Sequence, residues 1–133
     1  MIGLDTNVVI RYLAQDDARQ AAAATHLIEE LTPDSPRFLA SVVLAEIVWV
    51  MEELYGSSRE QVSAIVERLL QTRSLVVQDA EVAWRALSRY RKASADFADY
   101  LIERTGVAFG CEAIYTFDKK AARTQDCGMT LVR

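Results

Sequence analysis

Short apolar runs alternate along this chain with longer segments whose apolar residues recur every three or four positions, the pattern of strands alternating with helices. Ile2 and Leu4 flank a glycine and lead into the polar triplet Asp5-Thr6-Asn7, and Val8, Val9, Ile10, Tyr12 and Leu13 then crowd like a buried helix. The reading is strand, polar turn, helix. Ala18 to Leu31 predicts a second helix, whose alanine run reads as a close-packing surface and whose lone His26 has no partner motif to make it a general base. Pro33-Asp34-Ser35-Pro36 is a turn signal before a short strand, Arg37 to Ala40.

Ser41 begins a long amphipathic helix to about Tyr55, with Leu44, Ile47, Val48, Met51, Leu54 and Tyr55 as its stripe and Gly56 as its stop. Ser58 and Gln61 match a capping box that opens another helix, so the two helices form a hairpin through Gly56. Trp49, Val50 and Tyr55 lie outside or at the margin of the apolar stripe, where they mark either sheet-covered core or a contact surface. Leu75-Val76-Val77 reads as a strand and Asp79 to Ala93 as a helix carrying Arg85, Arg89 and Lys92 on one face, which is either solvated or a guide for phosphates. Ser94 is expected to cap a helix with Asp96 and Asp99 in its first turns. Cys111 to Tyr115 predicts a strand that runs into Thr116-Phe117-Asp118, followed by Lys119, Lys120 and Arg123, and Met129 to Val132 predicts a last strand.

At 133 residues, with 51% hydrophobic and 26% charged residues, the chain is expected to form one domain, burying roughly 68% of its unfolded surface. No apolar run approaches the roughly 18 residues of a membrane span, and Asp5 and Arg11 interrupt any signal-like segment. A cytoplasmic, soluble protein without membrane contact is expected. Cys111 and Cys127 fit no metal spacing. The net charge of −4 argues against nucleic acid only if the carboxylates stay bare, since two divalent cations would bring −4 + 4 to 0. Only Lys92, Lys119 and Lys120 are lysines, so the cationic side chains lean to Arg, which suits phosphate.

The acids carry the chemistry. Asp5 stands at the end of the first predicted strand, where open α/β proteins place their ligands, although Asp is also a good helix cap. Glu46 lies near the start of the helix after the second strand, and either points at solvent or faces the same edge. Asp96 and Asp99, side by side among apolar neighbours, repel each other unless a cation relieves them. Asp118 ends the fourth strand. Oxygen donors without His or Cys suit Mg2+ or Mn2+, and such ions activate water and stabilise a leaving oxygen in phosphodiester hydrolysis. No side chain offers a covalent nucleophile with an adjacent base.

Taken together, Asp5-Thr6-Asn7, Ser41 followed by Glu46, Asp96-Phe97-Ala98-Asp99-Tyr100-Leu101-Ile102 and Thr116-Phe117-Asp118 resemble the PIN domain, and the size and acidic signature are similar to those of VapC-type ribonuclease toxins of bacterial toxin–antitoxin pairs. The resemblance implies a three-layer α/β/α fold with a central parallel sheet of four or five short strands flanked by helices. It also implies Mg2+- or Mn2+-dependent endoribonuclease activity leaving 5′-phosphate ends, a homodimer, and a small VapB-like antitoxin. Carried over by residue, the catalytic and metal-holding quartet is Asp5, Glu46, Asp99 and Asp118, with Asp96 an additional acid and Asn7, Ser41 and Thr116 as supporting polar positions. Arg85, Arg89, Lys92 and Lys119 are candidate RNA contacts. One departure from the pattern is the longer Gly106 to Glu112 segment with its second glycine. Two other classes stand beside the nuclease: a catalytically silent PIN-like binding module, and a phosphorylation receiver, which lacks here an acceptor aspartate at the end of the third strand and an acidic pair after the first.

Overall fold

The computed structural model describes residues 1–30, 34–124 and 127–133. The chain begins with β1 (Ile2–Gly3) and α1 (Thr6–Ala14), whose N-terminus is capped by Asp5 and which ends at Gln15 in the left-handed conformation, φ 56°. Asp17 caps α2 (Ala18–Glu29) by accepting from the Gln20 N–H at 3.0 Å. The expected end of this helix at Leu31 and the first residue of the Pro33 turn lie outside the described residues. The next elements are β2 (Arg37–Leu39) and α3 (Ser41–Glu53), and Gly56 (φ 64°) then turns the chain into α4 (Arg59–Gln71). The predicted capping box forms: the Ser58 hydroxyl accepts from the Gln61 N–H at 3.1 Å while the Gln61 side chain accepts from the Ser58 N–H at 2.8 Å. The chain closes with β3 (Leu75–Val77), α5 (Ala80–Lys92), α6 (Phe97–Ala108), β4 (Ile114–Thr116), α7 (Lys119–Arg123) and β5 (Met129–Leu131).

All strand pairings are parallel, and the strands fall into a three-stranded sheet of order β1-β2-β3 and a two-stranded sheet of β4 and β5. The one sheet of four or five strands expected from the sequence is therefore two hydrogen-bonded pieces, because each strand has only two or three residues with which to extend its ladder. Helices flank the strands in the three-layer α/β/α arrangement. The first helix packs on α2 and α3, α3 also on α4 and α6, and α5 on both α4 and α6.

The spacing of apolar residues explains this packing. Leu54 and Tyr55, expected in the stripe of α3, lie past the end of the helix at Glu53 and are exposed, whereas Leu44, Ile47, Val48 and Met51 are buried at three- and four-residue steps, with Leu44 and Ile47 fully enclosed. Each such side chain contributes about 1.5–3 kcal/mol by leaving water. Tyr90, Phe97 and Tyr100 fill the space between α5 and α6, Tyr90 and Phe97 meeting edge to face at 5.7 Å. A charged tie holds the same two helices: buried Glu103 of α6 binds its neighbour Arg104 and accepts from Arg89 of α5 at 3.5 Å.

Two local expectations are corrected. The α6 helix is capped by Asp96 and not by Ser94, because Asp99 folds back to accept from the Asp96 N–H at 3.2 Å and fixes the start of the helix there. The fourth strand begins at Ile114 and not at Cys111, because α6 runs on to Ala108 and Gly110, at φ 96°, then reverses the chain. Gly106 lies inside α6 where a methyl would come within 2.2 Å of Ile114 Cδ1, so this glycine lets β4 approach the helix.

Candidate active site

Parallel strands place their carboxyl ends on one edge of a sheet; of the acids, Asp5 and Asp118 stand just past strand ends, Glu46 lies within α3, and Asp96 and Asp99 stand where α6 begins after α5. Asp5 follows β1, and its Oδ1 accepts from the Thr6 N–H at 2.8 Å. The capping reading of Asp5 is therefore correct as far as it goes, yet a carboxylate has about four lone-pair sites and one N–H occupies only one of them. The Asp5 side remains exposed.

Thr6, the next residue, is buried, and its hydroxyl donates to Glu46 Oε1 at 3.0 Å. That bond fixes Glu46, in the second turn of α3, beside the start of α1 while leaving the glutamate exposed. Both alternatives for Glu46 thus hold at once: it meets solvent and it shares the Asp5 edge. Ser41 anchors the same junction from β3, its N–H donating to Gln78 Oε1 at 3.0 Å and its hydroxyl to the Gln78 carbonyl at 3.3 Å.

A second acidic group gathers where α6 and α7 begin. Burial first, and then the charges of Asp96 and Asp118, push the Asp99 carboxyl above the usual carboxylate range; the backbone hydrogen bond from Asp96 and the Lys120 ammonium act the other way. Asp118 accepts from the N–H groups of Lys120 at 2.9 Å and Ala121 at 3.1 Å. Its own N–H donates to the Thr116 hydroxyl at 3.0 Å, so Thr116 sets the turn that presents this acid. The two groups are linked through the packing of α3 on α6, where Ser41, Ala45, Ala98 and Leu101 line a common groove.

Among the described residues no three Asp, Glu, His or Cys side chains already form a cation cluster. The donor set nevertheless suits a hard divalent cation: all five acids offer carboxylate oxygen, none forms a salt bridge among the described residues, and Asp99 feels the charges of both Asp96 and Asp118.

The remaining sequence candidates separate. Asn7 is exposed and lines a shallow groove between α1 and α2. Arg85 is engaged with Glu81 at 2.7 Å and Arg89 with Glu103, whereas Lys92 and Lys119 line one cleft. Sequence reasoning passed over Thr6 and Gln78. Gln78 directly follows β3 and Thr6 opens the helix just past β1, and a polar residue close after a strand is the only signal that could have flagged them.

The chain belongs to the PIN domain family, whose sequence profile matches residues 2–126. Proteins of this family are generally metal-dependent nucleases that use Mg2+ or Mn2+, and the family relation points to RNA as the bound polymer. No curated protein matches the chain. No helix among the described residues is long and apolar enough to cross a membrane.

Proposed function

We propose that this protein is an endoribonuclease in which Asp5, Glu46, Asp99 and Asp118 hold one or two Mg2+ or Mn2+ ions, and that it is the toxin of a type II toxin–antitoxin pair. The observation that carries the nuclease reading is the set of carboxylates without salt bridges at the starts of α1, α6 and α7 and on α3, in a chain whose buried charged side chains among the described residues, Arg37 and Glu103, are both compensated. A bound divalent cation would supply an activated water and neutralise charge on the phosphate. The chain's own part is to orient the ligands: Thr6 holds Glu46, Thr116 sets the Asp118 turn, and the Asp96 N–H holds Asp99. Asp96, exposed one turn before Asp99, fits a supporting role through water.

The finer reading, a toxin restrained by a small VapB-like antitoxin and working as a homodimer, rests on the family resemblance and the surface of the α3–α4 hairpin. Trp49 is 59% exposed and Leu54 69% exposed, so the hairpin does not bury all its large apolar side chains. A peptide laid there could direct a basic side chain toward the acids.

The test is cleavage of labelled single-stranded RNA by purified protein in Mn2+, with wild type, Asp5→Asn and excess EDTA compared. Loss of cleavage in both controls, with 5′-phosphate ends in the wild-type products, is the expected result. Undiminished cleavage by Asp5→Asn or in EDTA would refute the assignment. A protein that binds the metal but cuts nothing would be the silent binding module instead. Sequencing RNA ends after induced expression would identify the target.

A further inference from the structure

All three lysines of the chain meet at one place. Lys92 at the end of α5 and Lys119, Lys120 and Arg123 of α7 line an open cleft of about 810 Å3, with Ser94 and Thr124 between them. Among the described residues no carboxylate lines it, although acids outnumber lysines and arginines 19 to 15 in the sequence. None of the four cations has a salt-bridge partner among the described residues.

Structural roles for these charges are already filled or run the wrong way. A lysine at the end of a helix often complements the terminal carbonyls. Here Arg59 does that for α5, its Nη2 donating to the carbonyls of Tyr90 at 2.6 Å and Ala93 at 2.7 Å while its guanidinium stacks over the Tyr90 ring. Lys119 and Lys120 stand in the first turn of α7, where the peptide dipoles disfavour positive charge. Their placement is therefore not explained by helix stability.

The cleft also adjoins the acids through the chain itself. Lys119 follows Asp118, Ser94 precedes Asp96 by two residues, and the Lys120 charge is felt at Asp99. We propose that this cleft holds the backbone phosphates of single-stranded RNA on one side of the scissile bond, a reading that rests on the nuclease assignment above. Lysine ammonium groups act as point charges on phosphate and read no base, so the cleft contributes affinity and register without sequence preference.

The test is equilibrium binding of a fluorescent single-stranded oligoribonucleotide to the full chain in EDTA, where nothing is cut, between about 50 and 200 mM salt. Lys92→Glu combined with Lys119→Glu should weaken binding about tenfold and flatten the log–log salt slope by about 1.4, at about 0.7 for each phosphate no longer neutralised. The neutral pair Lys92→Gln with Lys119→Gln should flatten it equally. Arg73→Glu, an equal charge change at an exposed residue outside the cleft, should leave the slope near the wild-type value. Wild-type affinity and slope in both lysine pairs, or an equal loss in Arg73→Glu, would overturn the proposal. Hydrolysis of bis(p-nitrophenyl) phosphate by the wild-type protein with Mn2+ reads the acids without the cleft. Its failure would count against the nuclease reading, while the binding experiment still decides the cleft.

Discussion

The Thr6 hydroxyl donates to Glu46 Oε1 at 3.0 Å across 40 positions of sequence, joining the first turn of α1 to the second turn of α3. Thr6 is buried while Asp5 and Glu46 on either side of it are exposed, so a small uncharged residue fixes the spacing of two prospective ligands from behind. Thr6→Val keeps the shape and removes the donor. The variant should melt within a few degrees of wild type, since one such bond contributes about 1 kcal/mol. Its Mn2+ affinity should fall about tenfold, as for other residues that orient a ligand. Isothermal titration with Mn2+ is the check, and wild-type affinity would mean that Glu46 needs no such support.

Asp96 and Asp99 occupy one end of α6 but differ in setting, Asp96 being exposed and Asp99 half-buried and facing Asp118. Asp96→Asn should cost about tenfold in RNA cleavage and Asp99→Asn more than about a hundredfold. Single-turnover rates on the same substrate decide it. The reverse ranking would make Asp96 the ligand and Asp99 the helix-start residue.

Glu52 of α3, within reach of the Asp96 charge, supplies a pH signature in stability. Burial, and to a smaller extent the Asp96 charge, raises its carboxyl above the ordinary range, against the nearby Tyr90 hydroxyl and the Arg59 charge. A carboxyl whose folded value is raised favours the native state when protonated, and that advantage is lost as pH climbs through the folded value. Glu52→Gln should therefore melt higher than wild type at pH 8 and show little difference in the acid range below the ordinary glutamate value. Melting curves at several pH values test the sign, and a variant less stable at pH 8 would contradict it.

Trp49 offers the simplest probe of partners. Buried apolar anchors at an interface commonly cost about 2 kcal/mol or more when truncated, so Trp49→Ala should weaken antitoxin binding or dimerisation by about thirtyfold. Metal binding should be unchanged, because the side chain is solvent-exposed in the single chain. Unaltered antitoxin affinity together with unaltered sedimentation would move the interface to another face.

Much of this architecture is local in origin and was therefore determined by the sequence. The stripe Leu44, Ile47, Val48 and Met51 in α3, the Ser58–Gln61 box and the left-handed Gly56 depend on residues within a turn or two of each other, so periodicity and capping chemistry suffice to specify them. Asp5 and Asp118 were legible for the same reason, each being an acid directly after a short apolar run. Ser94 and Asp96 could not be ranked as caps from sequence, because both side chains accept from helix N–H groups equally well and only the return of Asp99 onto Asp96 chose between them. The limit of β4 depended on how closely Ile114 could approach Gly106, a contact between elements. The bond from Thr6 to Glu46, the mutual repulsion at Asp99 and the meeting of Lys92 with Lys119 and Lys120 join residues tens of positions apart. Their geometry follows from how parallel strands and packed helices bring distant turns together, and no local pattern encodes that; it was decided by the tertiary structure.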